Sequence, residues 1–536
     1  VKKRTKGILA FAFLGGIMVT SGVTIAIPGM APEGENEERT IVGTPADNYF
    51  DADRPKFCGA NKPKSTNYVR EFAIPTECTN PLAIVADYDG NIWFAQTNTG
   101  KLGKFDPATE TFTEYDNPSW PKGARSMIWG IDYAPDGSVW FTDEVYDSVW
   151  RFSTIDETYD QLSYPSEGNS LPQKLLVDGS QIIINDFTGN KITFLDPSQS
   201  DEDVIYVALP SPIGNSVTSD FALDDDKNVW YTNWLLRQSG ILVKFDYPAY
   251  LENVAASGEQ FLPLLDYVET FELPPELLTP NGIEVDDKGK VWLADTSSSS
   301  FFKFDPVMES FTQYVTAAPV LSTFGNQTGI VKSPISRPYW MGLDDSGRIV
   351  FNSQTANNIS VMDPRTDSLV EYLVPSKNPH WSDCNPGTGL IPEDCGIAQV
   401  FDFTTVGSKI WFTEWAENNI GVVDTAVSLP ADIDLESTSV ALERGNSTQF
   451  NFTVSPKSQQ DLMGVQLLLL PTRDFIDVEL LTHNSTSVFQ LDSGVPLPVY
   501  ADISVSKDAT PGTYKVLVGL QTTDVAISKF VTVTIE

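Results

Sequence analysis

Histidine is nearly absent. The chain of 536 residues holds two, His380 and His483. A nucleophile activated by imidazole, or a zinc centre built on several histidines, has almost nothing to be made from. Cysteine is scarce too, with four residues: Cys58, Cys78, Cys384 and Cys395. They fall into two sequence-local pairs, and of three possible connectivities the expected one is Cys58–Cys78 with Cys384–Cys395. Each bridge would close a short loop and add about 3 kcal/mol through loop entropy. His380 lies near the second pair, which permits a partial Cys2His zinc reading, but a disulfide is the expected outcome. Positive charge is the third shortage. Thirty-five Lys and Arg stand against 72 Asp and Glu, a formal net charge of −37. Such a chain repels nucleic acid and anionic lipid, so neither is an expected partner. There is no GxSxG, no Walker A loop and no GxGxxG.

Long apolar runs are missing except at the start. Lys2, Lys3, Arg4 and Lys6 precede an apolar stretch from Gly7 to about Ala31, and about 20 such residues span a bilayer. The basic flank would stay cytoplasmic and send the rest outside. The expectation for 1–31 is a signal anchor or signal peptide, with membrane contact only through this segment. Pro32, directly after the small-residue site Gly29-Met30-Ala31, tilts that choice towards an anchor. The stretch 32–67 is acidic and Pro-containing and reads as a flexible linker. Sequons at Asn326, Asn358, Asn446, Asn451 and Asn484 would be surface glycan sites in a host that glycosylates.

What is abundant is a repeat. Lys409–Asp424 reads KIWFTEWAENNIGVVD, and close copies read NIWFAQTNTGKLGKFDP at 91–107, SVWFTDEVYDSVWRF at 138–152 and KVWLADTSSSSFFKFDP at 290–306. Weaker copies begin at Gln181, Asn228 and Arg348. Around each, the pattern implies four strands: a short apolar strand, an acidic turn such as DYDG at 87–90 or DDKG at 286–289, the WF strand, a third strand ending near Asp-Pro, and a fourth carrying Glu/Gln-x-aromatic. Asp-Gly turns suit hairpins because both residues tolerate positive φ. Repeats of this length and make-up predict an all-β chain with a seven-bladed β-propeller over 68–430. The last unit lacks its fourth-strand signature, which appears instead at Val69–Pro75. The N-terminal strand is therefore expected to complete the last blade and remove the open edges. Wider spacing late in the chain implies surface insertions at 247–264, 317–336 and 376–396. Past Asp424 the repeat stops, and the alternating strands of 431–536 predict an immunoglobulin-like β-sandwich acting as a spacer or adhesive unit.

Chemistry is expected where strand ends ring the central opening. Second strands end at Gln96, Asp143, Asp186, Asn233, Asp295, Ser353 and Glu414. First strands begin near Arg125, Gln173, Asp220, Asn281, Arg337 and Gln399. Hard oxygen ligands of this kind suit Mg²⁺ or Ca²⁺, and the plainer reading is a polar funnel filled with water. Carboxylate pairs, Asp143 with Glu144 or Asp295 with Glu414, could do acid–base work if burial separated their pKa values. Arg125 and Arg337 could hold an anionic group, or pair with the acidic ring.

The motifs WFTE at 411–414, WFTD at 140–143, NNIGVVD at 418–424 and EYLVP at 371–375 resemble the streptogramin (virginiamycin B) lyase family, over roughly 68–424. The resemblance implies a seven-bladed propeller and a lyase that opens a cyclic depsipeptide ester by elimination, using Mg²⁺, a His and a metal-binding acid. Glu414 matches the acid. The matching inner-strand start, around Val400, has no His, and Asn281 stands in that relation to Asp295. TPNGIEVDDKGKVWLADT at 279–296 also resembles gluconolactonase-type propellers, which implies a divalent-metal role for Asn281. Together these readings put catalysis on Glu414 and Asp295, and metal on Asn281, Asp295 and Glu414. They put ligand binding on Arg125, Asp143, Arg337 and Gln399. The expected function is an exported propeller that binds a small-molecule or cell-surface ligand on its acidic central face. The alternatives are a metal-dependent lyase or lactonase, and a structural cell-envelope protein.

Overall fold

The computed structural model describes residues 54–59, 62–120, 126–144, 146–164, 170–197, 206–210, 212–213, 216–235, 240–258, 262–319, 335–382, 395–481 and 488–536. The 1–31 segment, Arg125, Asn326, Cys384 and Asn484 lie outside them. Among the described residues no helix is long and apolar enough to cross a membrane.

The described chain is nearly all β. Its hairpins are made by the acidic turns. In the first sheet the Asp87 carboxylate accepts the backbone N–H groups of Asp89 and Asn91, and also the indole N–H of Trp93 at 2.9 Å. Asp224 and Asp286 hold Trp230 and Trp292 in the same way, each at 2.9 Å. One carboxylate thus folds the turn and fixes the ring that the next strand buries. At Asp344 the partner is Arg348 instead.

Four-stranded antiparallel sheets follow one another along the chain. The first comprises Pro81–Ala86, Ile92–Gln96, Lys101–Asp106 and Thr111–Tyr115. The next five have first strands at Ile131–Tyr133, Pro172–Asp178, Val217–Leu223, Pro280–Val285 and Pro338–Leu343. The last begins at Val400–Val406, and Val69–Ala73 supplies its fourth strand, running from Val69 opposite Val423 to Ala73 opposite Asn419. Each first strand stands beside the first strand of the next sheet, and Val400–Val406 stands beside Pro81–Ala86. The circuit of first strands is closed in propeller fashion.

Side chains of the second strands stitch neighbouring sheets. Thr142 donates to the Gln173 carbonyl at 2.7 Å, Thr232 to Pro280 at 2.9 Å and Thr413 to Leu82 at 2.6 Å. Asn185 and Asn352 make the same link to Thr218 and Val400. The Thr of the WFT motif is therefore an inter-sheet clasp. Beside it, the motif Trp meets the aromatic residue of the next sheet's third strand, as in Trp411–Phe105 at 5.5 Å and Trp93–Phe152 at 5.9 Å.

The C-terminal strands form two packed sheets. Ala431–Leu435, Ser447–Pro456, Leu497–Val505 and Ile476–Leu480 make one. The other is not a separate sheet: Val525–Ile535 pairs antiparallel with Ser368–Leu373, Tyr372 opposite Val525 and Ser368 opposite Lys529. The sixth sheet and the C-terminal strands share one nine-stranded sheet. Phe530, 2% exposed, stands edge-on to Tyr314 at 4.9 Å. Lys515 pairs with Asp367 at 2.6 Å, and Arg473 with Glu276 at 2.8 Å. An apolar, hydrogen-bonded junction therefore joins the C-terminal strands to the sixth sheet.

Two expectations change, and one insertion gains a structure. Part of the expected flexible linker is ordered: Arg54–Cys58 is a short helix tied by the Cys58–Cys78 disulfide, with Phe57 buried. The 247–264 insertion contains the helix Tyr247–Ser257, which packs Tyr247 on Phe194 at 4.5 Å. Asn358 is no surface glycan site. It is 2% exposed, and its amide donates to Glu371.

Candidate functional site at the hub

The second-strand carboxylates act as staples. Asp295 is fully buried and accepts from the backbone of Thr279 at 2.9 Å and from Ser297 and Ser298 hydroxyls at 2.8 and 2.7 Å. Asp186 accepts from the backbone of Leu171 at 2.8 Å and Gly189 at 2.9 Å. Asp143 accepts from Ser126 at 2.5 Å and from the Trp150 indole at 3.2 Å. Each ties the entry of its first strand to the turn after its second strand. Burial pushes Asp295 and Asp186 above the usual carboxylate range, opposed by these donors. Gln96 bonds Glu114, and Asn233 bonds the Val217 carbonyl. Glu414 is packed beside Glu71 of the closing strand: burial, then the Glu71 charge, raise it well above its ordinary value, while Asn419 donates to it at 2.9 Å.

The expected metal set is not assembled. Asn281 donates to Thr296 at 2.9 Å and accepts from Ser219 at 3.0 Å, and the Asp295 oxygens are taken by their donors. Glu414 belongs to the last sheet and shares no partner with them. Among the described residues there is no group of three or more His, Cys, Asp and Glu side chains that could hold a metal ion. These residues do not fit a Mg²⁺ or Ca²⁺ centre, because a hard cation needs several oxygens free to converge. Cys395 is disulfide-bonded, which removes the zinc reading beside His380.

An aromatic layer occupies the mouth of the hub. Trp129 lies 5.3 Å from Phe401 and 6.3 Å from Tyr339, and Tyr339 lies 4.5 Å from Trp340. Phe401 meets Trp415 at 5.9 Å, and Trp415 meets Trp381 at 4.9 Å. Phe57 and the Cys58–Cys78 bridge pack into the same cluster. Behind this layer lies a charged one. Lys174 sits 3.4 Å from Asp402 and 4.8 Å from the Trp340 ring. Burial draws its ammonium down, but Asp402, Asp220 and Asp132 outweigh that and leave it above its ordinary value. Burial pushes Asp220 up to about 7 and Asp132 to about 6. Asp402 and Asp132 also accept backbone N–H groups of Ile84 at 3.1 Å and Val177 at 2.7 Å, so they join adjacent first strands. Lys174 and Asp402 were not among the expected site residues. Their signal was positional: Lys174, Asp220 and Asp402 each immediately precede the residue paired with the inner position of the second strand.

Two groups at the mouth are less well satisfied. Glu144 is 2% exposed; the Trp129 indole donates to one oxygen at 2.6 Å and the other has no partner. Burial pushes it up to about 8, against the Trp129 bond. Arg337 is 4% exposed, and its one side-chain hydrogen bond runs from Nε to the Thr296 carbonyl at 3.2 Å. Burial lowers it to about 10. Its φ of 60° is left-handed, which costs a non-glycine residue about 1–2 kcal/mol. Gln399 and Asn80 enter their own sheets with φ of 59° and 49°. Of the expected ligand-binding residues that are described, Asp143 is held by its donors, Gln399 is buried with its backbone carbonyl accepting from Trp415, and Arg337 has its terminal nitrogens to spare.

No protein-family model matches the chain and no curated protein matches it. Solved structures do. The chain is similar to virginiamycin B lyase from Staphylococcus aureus, with 16% identity and a TM-score of 0.49, covering 66% of this chain and 98% of that one. A streptogramin B lyase structure has 16% identity and a TM-score of 0.48, covering 66% and 96%. The calcium-binding protein regucalcin from Agrobacterium tumefaciens has 12% identity and a TM-score of 0.35, covering 55% and 89%. The first two bear the name of the family that the repeat motifs resemble.

Proposed function

We propose that the chain is an exported binding protein. In this reading residues 68–430 are a seven-bladed propeller latched by its N-terminal strand, and 431–536 are an immunoglobulin-like sandwich fused to the sixth blade. The ligand is taken at the aromatic mouth of the hub. One observation carries the reading: Asp295 and Asp143, carboxylates that a metal-dependent lyase or lactonase would use, are spent as staples, while Glu144, Arg337 and Trp415 at the mouth keep hydrogen-bonding capacity to spare. The Cys58–Cys78 bridge supports an oxidising, extracytoplasmic setting.

The second reading is a lyase or lactonase, and Glu144 favours it. A buried carboxyl with pKa about 8 and one oxygen without a partner is suited to proton transfer near neutral pH. The test is to incubate the purified chain with a panel of cyclic esters and lactones, with Mg²⁺ or Ca²⁺ and then with chelator. Saturable binding without turnover supports the first reading. Turnover that Glu144→Gln abolishes while the fold is retained would replace it with the second.

A further inference from the structure

We infer that the hub mouth binds an organic carboxylate, with Arg337 as its counter-charge. The inference rests on the mouth being the binding site and names the class of ligand.

Among the described residues Arg337 is the buried arginine. The chain carries about two acids for every base, yet among the described residues no carboxylate pairs with it. The more exposed Arg70, Arg151, Arg348, Arg365 and Arg473 all have one. A buried guanidinium without a counter-ion is expensive, and structures that keep one supply an anion from elsewhere. Its position is also fixed in advance. The Arg337 N–H donates to Ser298 at 3.0 Å and its carbonyl accepts from Gln354 at 3.0 Å, holding the left-handed backbone in place. Nε is spent on Thr296, so the two terminal nitrogens remain as a fork, the geometry that matches a planar carboxylate.

The surroundings select the rest of the ligand. Tyr339 follows two residues on and is walled by Trp129 and Phe401. The Trp415 indole, across Phe401, is a further buried donor without an acceptor. Glu144, the carboxyl at the mouth with a spare oxygen, is kept protonated at neutral pH by its burial, so aromatic walls lined with donors accept an apolar or aromatic body bearing one negative group. A polyanion would be repelled by the remainder of a chain with net charge −37.

The test uses benzoate and its neutral isostere benzamide, at constant ionic strength, on the full chain and on Arg337→Met. Thermal unfolding is the readout, because a ligand that binds only the folded state raises the midpoint. Benzoate is expected to raise the wild-type midpoint by several degrees and benzamide to leave it unmoved. Arg337→Met should lose the benzoate response and, freed of an unpaired buried charge, unfold at a higher temperature than wild type in low salt. Equal responses to benzoate and benzamide would overturn the carboxylate inference and leave apolar binding at the mouth standing. No response to either, or an undiminished benzoate response in Arg337→Met, would also overturn it. The panel of cyclic esters tests the binding reading separately. If Arg337→Met does not fold, the wild-type comparison of benzoate with benzamide decides.

Discussion

Asp295 and Glu144 are both buried carboxyl groups near the ends of second strands, and they do different work. Asp295 has donors on both oxygens and ties a strand entry to a turn. Glu144 has one indole on one oxygen and nothing on the other. Burial alone does not mark a functional acid. What separates the rim of staples from the mouth is whether the local backbone consumes the hydrogen-bonding capacity that burial has made costly to leave open.

The comparison is broken if the staples prove dispensable. Asp295→Ala should destabilise the fold by about 3–5 kcal/mol, because it strands several buried donors at once; a change under about 1 kcal/mol in denaturant unfolding would erase the distinction. Glu144→Gln sharpens the comparison through pH. The folded-state pKa of Glu144 is raised to about 8, so the folded protein holds a proton that the unfolded chain has released. Its contribution is intact below the unfolded carboxylate range and is lost as pH rises from there through about 8. The variant should match wild type near pH 5 and exceed it at pH 8 by on the order of 1–3 kcal/mol; parallel pH–stability curves for the two proteins would count against the assignment. The smallest effect belongs to the clasps. Thr413→Val removes one hydrogen bond to the Leu82 carbonyl and should cost about 1 kcal/mol, read as a lower unfolding midpoint with unchanged ligand response.

The repeat was legible because every sheet must pack on two neighbours. That demand puts an indole, a Thr or Asn clasp and an Asp turn at fixed offsets, as at Trp230, Thr232 and Asp224. The closing strand was legible for the same reason: Glu71 and Phe72 carry the fourth-strand signature that the last sheet lacks. The donors that occupy Asp295 were not legible, because strand-end position does not reveal which backbone N–H groups come to meet a carboxylate. The docked edge was also missed. Ser368–Leu373 has buried residues on both faces, Leu369 and Tyr372 among them, where Thr111–Tyr115 has none, and two-faced burial is the mark of a strand that is not an edge.

The sequence by itself determined the local units and the strand that joins the last to the first, since periodic side chains and turn residues act within a few positions of themselves. Only the tertiary structure decided which acids are staples, that aromatic rings fill the hub mouth, that Lys174 meets Asp402 behind them, and that no described carboxylate pairs with Arg337. Those outcomes depend on which residues from distant sheets arrive at one axis, and spacing along a chain does not encode distance across a ring.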